Sequence, residues 1–296
     1  MIKTKTILLT LTLALILSAC SPIPQPENNK TPVASQNAAP SKNTLPQETD
    51  VTLAEQVIFE QSGIRVTALG LDTDGFFGTG IKVRIENDSS QNITVQTRNC
   101  SVNDLMLDPM FSCDVAAGKK ANDTILFMDT QLEAAGISTI AETEFVLSIF
   151  NSDTWEDILT SDIIPLQTSA ADYVQAYDDS GFVAYDNGGI KIVIQKANSE
   201  DSFWGADVYV FAQNDTDANI TIQARDVSIN GYMVDPMFSC NIAAGKKTYS
   251  SLTFLESDLT ENGITDIKNL ELRFTAFNSD TWDDFFNTDI VSVTFE

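Results

Sequence analysis

Apolar and polar residues alternate with a period of two along most of the chain beyond residue 50. The stretches ADVYVFAQND, from Ala206, and NITIQARDVSI, from Asn219, place apolar side chains at nearly every second position. Such alternation is typical of β-strands that bury one face. The pair Asn230-Gly231 follows the second stretch and favours a type I′ hairpin turn, because both central residues of that turn need positive φ.

Turn residues separate further short segments of the same kind, and the first half of the chain has Asn103-Asp104 where the second half has Asn-Gly. Further strands are predicted at 123–128, 143–150 and 162–168, with counterparts at 250–255, 270–277 and 289–295. Each half also has one predicted helical turn, near Leu132 and near Leu259, between a capping residue and a glycine. Six or seven short strands per half predict an all-β protein with two tandem Ig-like antiparallel β-sandwich domains.

The two halves are copies of one another. Residues 98–168 align with residues 225–295 without a gap, at an offset of 127 positions, and 30 of the 71 aligned pairs are identical. The hexapeptide DPMFSC occurs in both halves, starting at Asp108 and at Asp235. Two copies are too few for a solenoid, so the duplication predicts tandem domains.

The N-terminus resembles the signal peptide of a bacterial lipoprotein. Lys3 and Lys5 precede an apolar stretch at 7–17, which is too short to span a bilayer as a helix. It ends in LSAC, which resembles a lipobox and implies that Cys20 becomes the lipidated first residue of the mature chain. The alternative is an ordinary secretory signal that happens to end in cysteine. The predicted segments are a signal peptide (1–19), the lipidated Cys20 with a flexible linker (20–52), repeat 1 (53–168), an interdomain linker (169–186) and repeat 2 (187–296).

A family resemblance rests on the run NGYMVDPMFSCNIAAGKK at 230–247, the following L-x-x-x-GI and the closing FNSDTWDD. These motifs resemble the repeat of uncharacterised lipoproteins of Gram-positive, mostly clostridial bacteria. That family is similar in turn to a broader group of Ig-like β-sandwich domains of unknown function, which includes a mycobacterial secreted antigen. The resemblance covers both repeats and implies their fold and an extracellular location, but it implies no activity or catalytic residue.

Charge and composition exclude several classes of function. Acidic residues outnumber basic ones 42 to 17, so the formal net charge is −25, and histidine is absent. Nucleic acid is therefore not expected as a partner. Without histidine, Ser-His-Asp and Cys-His nucleophilic sites and His-ligated zinc are excluded. The two AAGKK segments hold four of the 17 basic residues, either as a local cationic spot or as lysines that protect an edge strand.

The repeated cysteine leaves more than one interpretation open. A disulfide between Cys100 and Cys113 would have no counterpart in repeat 2, where Val227 matches Cys100. A bond between Cys113 and Cys240 would need two equivalent corners to face each other. The favoured interpretation is that these cysteines are buried free thiols, and that DPMFSC forms a structural corner marked by its proline.

The acidic segments FNSDTWED and FNSDTWDD concentrate oxygen ligands of the kind that Ca²⁺ prefers. This candidate calcium site comprises Asn151, Asp153, Glu156 and Asp157 with Asn278, Asp280, Asp283 and Asp284. The competing interpretation is a capped helical turn that folds Trp155 onto the core. No other cofactor is expected.

Two aromatic pairs are the candidate binding surface. Phe76-Phe77 and Phe203-Trp204 follow acidic turns, and if they are exposed they suit a glycan or protein partner. The sequence thus predicts a lipid-anchored, extracellular, non-catalytic binding protein that contacts the membrane through its lipid. Two alternatives are an enzyme or accessory that acts on cell-wall or extracellular polymer through acidic residues, and a calcium-dependent adhesin.

Overall fold

A computed structural model describes residues 50–199 and 204–295. Lipidation at Cys20, the signal peptide and Phe203 lie outside these residues. The alternating pattern forms strands as expected: in the strand Gly78–Asn87, Ile81, Val83 and Ile85 are buried while Lys82 is exposed. The chain is all-β and its repeats are antiparallel β-sandwiches, which confirms the predicted fold class.

Within the described residues, each repeat contributes ten strands and one short helix. Repeat 1 contains β1 (Gln56–Gln61), β2 (Ile64–Asp72), β3 (Gly78–Asn87), β4 (Ile93–Val102), β5 (Leu105–Met106), β6 (Ser112–Val115), β7 (Lys119–Met128), α1 (Asp129–Ala134), β8 (Glu142–Asn151), β9 (Asp157–Thr160) and β10 (Ile164–Gln167). Repeat 2 contains β11 (Phe182–Asn187), β12 (Ile190–Asn198), β13 (Gly205–Asn214), β14 (Ile220–Ile229), β15 (Tyr232–Met233), β16 (Cys240–Ile242), β17 (Lys247–Leu255), α2 (Glu256–Glu261), β18 (Asn269–Asn278), β19 (Asp284–Asn287) and β20 (Val291–Thr294). The two predicted helical turns are α1 and α2.

Two sheets enclose the core of each repeat. In repeat 1 one sheet has the order β1-β2-β3-β7, and the other has the order β10-β8-β4-β5, with β6 on β4 and β9 on β8. Repeat 2 has the equivalent sheets β11-β12-β13-β17 and β15-β14-β18-β19, with β16 on β14 and β20 on β18. Each pair of sheets buries its own apolar cluster, centred on residues such as Phe127 and Phe145 in repeat 1 and Phe254 and Phe274 in repeat 2.

The hexapeptide DPMFSC is the corner where the chain changes sheet. Met110 exchanges backbone hydrogen bonds with Leu126 of β7 in one sheet, at 2.8 and 3.1 Å, and Ser112 then begins β6, which pairs with β4 in the other sheet. Phe111 packs on the core, but Met110 stays 60% exposed. The predicted corner is therefore confirmed, with Phe111 on the core side and Met110 on the solvent side.

The two predicted hairpin turns have the required backbone geometry. Asn230 and Gly231 have φ of 52° and 87°, and Asn103 and Asp104 have φ of 49° and 65°. Positive φ at both central residues is what a type I′ turn needs. Each turn joins a long strand to a two-residue strand, β4 to β5 and β14 to β15.

The two repeats share one ten-stranded sheet. The short strand β5 of repeat 1 lies beside β17 of repeat 2, where the backbone N–H of Lys247 donates to the carbonyl of Asp104 at 2.9 Å. Next to this contact, the Lys246 ammonium lies 2.8 Å from an Asp104 carboxylate oxygen and 2.7 Å from one of Glu144. Met106 of repeat 1 packs on the core of repeat 2, and Tyr249 of repeat 2 packs on the core of repeat 1.

The predicted interdomain linker is part of this interface. Tyr177 donates a hydrogen bond from its hydroxyl to the carbonyl of Asn103 at 2.9 Å, and its ring lies under the Lys247 ammonium, 4.6 Å from it. Gln175 is buried and donates to the carbonyl of Gly136 at 3.0 Å. Strand β11 begins within the predicted linker, at residue 182. Both repeats belong to one compact unit.

No helix within residues 50–199 and 204–295 has the length and apolar character needed to cross a bilayer.

Candidate binding groove

Each repeat presents an exposed tryptophan on the hairpin that joins its last long strand to the next short one. Trp155 lies between β8 and β9, Trp282 lies at the equivalent place between β18 and β19, and each is 75% exposed. Their φ angles of 62° and 67° lie in the left-handed region, which bulky residues rarely adopt. A strained backbone conformation that occurs at both copies is the kind of feature found at ligand-binding positions.

The residues before the tryptophan force this geometry. The side-chain oxygen of Asn151 accepts hydrogen bonds from the backbone N–H groups of Asp153 and Thr154, at 2.8 and 3.0 Å. The Trp155 N–H then donates to the Asn151 carbonyl at 2.8 Å. Asn278 makes the same three bonds in repeat 2. An asparagine that bonds the backbone two residues ahead produces a tight turn, and this turn holds the indole outward.

A phenylalanine supports each indole from below. Trp155 stacks on Phe150 with the ring centroids 5.5 Å apart and an angle of 19° between the planes. Trp282 stacks on Phe277 at 5.2 Å and 12°. The supporting ring covers one face of the indole and restricts its rotation. Each repeat therefore holds a rigid aromatic platform that faces solvent.

A polar groove of ≈ 360 Å³ runs from the Trp282 platform across the outer face of the second sheet of repeat 2. The outward side chains of β14 form its floor, since Ile220 and Ile222 on the same strand point into the core. Asn99 of repeat 1 also lines it, at a β-bulge in β4 with φ of 49°. Seven of its eleven lining residues carry an amide or hydroxyl group: Asn99, Asn219, Thr221, Gln223, Ser239, Asn241 and Ser279.

Hydrogen bonds between these side chains fix their positions. Thr221 Oγ1 donates to Asn241 Oδ1 at 2.9 Å and lies 2.9 Å from Ser279 Oγ. The Asn219 amide donates to Asp280 at 3.1 Å, which attaches the groove to the tryptophan hairpin.

Repeat 1 has the same network. Thr94 bonds Asp114 at 2.6 Å and Ser152 at 2.9 Å, and Asn92 donates to Asp153 at 3.1 Å. One substitution distinguishes the copies, because Asp114 stands where repeat 2 has Asn241. Repeat 1 therefore carries an additional negative charge on this surface.

A flat aromatic face beside fixed amide and hydroxyl groups is suited to a sugar. The apolar face of a pyranose can stack on an indole, and the hydroxyls of the ring can both donate to and accept from neutral polar side chains. A small number of positioned polar groups next to an apolar surface is the usual composition of a ligand site. The groove thus fits a neutral, polyhydroxylated ligand better than a strongly charged one.

The structure gives the candidate calcium site no support. Among the described residues, no group of three or more Asp, Glu, Cys or His side chains is placed to hold a metal ion. The side-chain oxygens of Asn151 and Asn278 are used by backbone N–H groups of their own turns. Asp157 and Asp284 open the strands β9 and β19 instead of closing a loop around an ion. Glu156 and Asp283 accept hydrogen bonds from the threonines of their turns, at 3.3 and 2.8 Å.

The competing interpretation of this segment is correct only in part. A single turn capped by Asn151 does form, closed by the bond from the Trp155 N–H to the Asn151 carbonyl, but the indole stays 75% exposed and is not folded into the core. The exposed tryptophans are candidate site residues that sequence reasoning missed. The signal that could have identified them is the repeated N-S-D-T-W motif, in which an asparagine with an acceptor side chain favours a turn just before the aromatic residue.

The predicted aromatic surface is exposed at each of its described residues. Phe76, Phe77 and Trp204 are 91%, 67% and 59% exposed, and the two phenylalanine rings meet edge to face at 4.9 Å. Phe76 and Phe77 lie directly before strand β3, and Trp204 lies directly before strand β13. The structure does not bring them together with Trp155 or Trp282 in one groove.

The cysteines behave as small apolar residues. Cys100, Cys113 and Cys240 are free and buried, so the Cys100–Cys113 disulfide is not formed. Cys113 pairs with Val95, and Cys100 lies five residues farther along β4, about 16 Å away at the usual rise of a strand. A disulfide needs Cα atoms within about 7 Å. Burial raises the pKa of Cys240 to about 12.

A second cavity, of ≈ 760 Å³, lies at the junction of the two repeats. Its lining includes Glu133 and Asp178 together with Lys196 and the rings of Tyr177 and Tyr209. Hydrogen bonds from the hydroxyl and backbone N–H of Ser180 lower the pKa of Asp178, and a carboxyl held ionised in this way is a poor general acid.

No protein-family model matches the chain, and no curated protein has a similar sequence.

Proposed function

We propose that the protein is a lipid-anchored extracellular binding protein that recognises a neutral glycan through the tryptophan platforms of its two repeats and the polar groove beside Trp282. The observation that carries this proposal is the pair of equivalent, 75% exposed tryptophans, each supported by a stacked phenylalanine and bordered by fixed amide and hydroxyl groups. A bulky residue at positive φ carries backbone strain, and a ring that stacks on one phenylalanine but stays 75% exposed offsets little of that strain by burial.

The remaining parts of the proposal come from the sequence. The lipobox at Cys20 and the resemblance to clostridial-type lipoproteins support anchoring at the outer face of the cell membrane. The polar segment at 20–52 then serves as a tether between the lipid and repeat 1. Cell fractionation tests this part: Cys20→Ser should move the full chain from the membrane fraction to the medium. Continued membrane association of that variant would contradict lipid anchoring.

Binding is tested with the full chain and two probes, purified Gram-positive cell walls in co-sedimentation and soluble oligomers of N-acetylglucosamine in titration. Replacing both Trp155 and Trp282 by alanine should weaken binding at least about tenfold, because removal of a central aromatic contact typically costs more than 1 kcal/mol. Phe182→Ala is the control, since it removes an exposed aromatic side chain that belongs neither to the groove nor to the predicted aromatic surface. Equal losses for control and test variants, or no binding of either probe by the unmodified chain, would count against the glycan proposal.

A further inference from the structure

The contact between the two repeats joins two different surfaces of the same domain. Repeat 1 contributes its β4–β5 hairpin, and repeat 2 contributes the edge at the start of β17. Because the repeats are copies, each surface also exists a second time. The equivalent hairpin of repeat 2 ends in β15, and the equivalent edge of repeat 1 is the start of β7, the last strand of its sheet.

The second hairpin exposes the residues that the first one buries. Leu105 is 0% exposed where β5 meets repeat 2, and Met106 packs on the core of repeat 2. Their counterparts at an offset of 127, Tyr232 and Met233, are 51% and 67% exposed. Two adjacent large side chains are therefore exposed at a position that the other repeat uses for docking.

The charged groups of the internal contact are also duplicated. Lys246 pairs with Glu144 in the internal contact, and the counterparts of these residues are Lys119 and Glu271. Lys119 is exposed at the first position of β7, and Glu271 is exposed on β18 beside the β15 hairpin. If a second copy docked in the same way, the Lys119 ammonium of one molecule would lie next to the Glu271 carboxylate of the other, and these charges attract.

We propose that the β15 hairpin of one molecule docks on the β7 edge of a second copy, so that molecules associate head to tail through a repetition of their internal interface. Such a contact is heterologous, and heterologous contacts that do not close into a ring continue into open arrays. Tyr232 and Met233 would supply the apolar surface buried in this contact. The ion pair between Lys119 and Glu271 would determine how the two molecules are oriented relative to each other.

Two differences make the external contact weaker than the internal one. Gly231 stands in place of Asp104, so one of the two carboxylates is missing, and Asn122 stands in place of Tyr249. Copies held on one surface have a raised effective concentration, which favours a weak contact of this kind.

Photo-crosslinking of the full chain tests the proposal. Two differently tagged copies are expressed together, and the first carries the photoreactive residue benzoylphenylalanine in place of Tyr232. Irradiation should join the two tags in one band, with the cross-linked peptide of the second copy lying near the start of β7. If substitution at 232 prevents folding, the same residue is placed at Met233.

Reversing the charges of Lys119 and Glu271 then tests whether these two residues meet in the contact between copies. Lys119→Glu in the second copy should lower the crosslink yield several-fold, Glu271→Lys in the first copy should do the same, and the two together should restore it. Lys82→Glu on the neighbouring strand β3 is the matched control and should leave the yield unchanged. Absence of copy-to-copy crosslinks, crosslinks that map away from β7, or equal effects of the control and test variants would each overturn the proposal.

Discussion

The ion pairs of Lys246 should contribute measurably to the stability of the contact between the two repeats. The side chain of Lys246 is only 11% exposed and bridges Asp104 and Glu144, which are 39% and 28% exposed. Removing one partner of a fully buried pair costs about 3–5 kcal/mol, whereas an exposed pair contributes at most about 1 kcal/mol. Since this group is partly solvated, Lys246→Met should destabilise the folded chain by about 2 kcal/mol, mainly because two carboxylates then face each other without a cation.

Thermal unfolding of the full chain measures this loss. A change of about 2 kcal/mol corresponds to a fall in Tm of about 4–8 °C for a protein of this size. The duplication supplies the control, because Lys119→Met makes the same change at the exposed equivalent position and should cost less than about 0.5 kcal/mol. Adding Asp104→Asn and Glu144→Gln to Lys246→Met should recover much of the loss. Equal shifts for Lys246→Met and Lys119→Met would refute the reasoning.

The difference in Tm between the unmodified chain and Lys246→Met should also depend on pH, in a direction that follows from the pKa of Lys246. Burial lowers the pKa of Lys246, but the hydrogen bonds to Asp104 and Glu144 outweigh it, so the pKa of Lys246 is raised above its ordinary value. A raised pKa means that the stabilisation is complete below the ordinary lysine pKa and is lost as the pH rises through the folded value. The gap in Tm between the unmodified chain and Lys246→Met should therefore stay constant between about pH 6 and 9 and shrink above about pH 10.5.

Two further predictions concern the thiols and a glycine. Because burial raises the pKa of Cys113 and of Cys240 to about 12, their thiolate fraction at pH 8 should be roughly a thousandfold below that of an exposed cysteine. Thiol-reagent kinetics should show slow labelling that becomes fast in urea, and fast labelling of the native chain at these two residues would contradict their burial. Gly78→Ala should cost about 3 kcal/mol, since φ is 153° and a Cβ would overlap the Phe127 carbonyl, whereas Gly118→Ala, which points into open space, should cost about 1–2 kcal/mol. Urea denaturation of the two variants compares them, and equal costs would show that the overlap is relieved without penalty.

Much of the fold was accessible from sequence because its signals are local. The alternation in the strands, the Asn230-Gly231 turn and the proline of the DPMFSC corner each act within a few residues. The role of Lys246 was not accessible in this way, since its partners lie 142 and 102 positions away (246 − 104 and 246 − 144). The two AAGKK segments are identical in sequence, but their lysines have different surroundings. The packing of one repeat against the other creates this difference, and the local sequence does not show it.

The candidate site was only partly predictable for a related reason. An acidic segment such as FNSDTWED has the composition of a calcium loop, but composition does not tell which oxygens are already used by backbone N–H groups. Once the side chain of Asn151 bonds its own turn, its oxygen is occupied by backbone N–H groups, and the turn leaves the tryptophan exposed. A single local hydrogen-bond choice therefore separates a metal loop from an aromatic platform.

The continuous ten-stranded sheet also has a consequence for affinity. Because β5 pairs with β17 and Lys246 bridges Asp104 and Glu144, direct contacts between the repeats, and not the linker alone, set the distance between Trp155 and Trp282. Two weak sites at a set spacing act together only on a polymer whose repeat distance matches that spacing, and the second binding event is then effectively intramolecular. Such a molecule would bind long, ordered polymers more tightly than short fragments of identical chemistry, so its affinity would depend on polymer length.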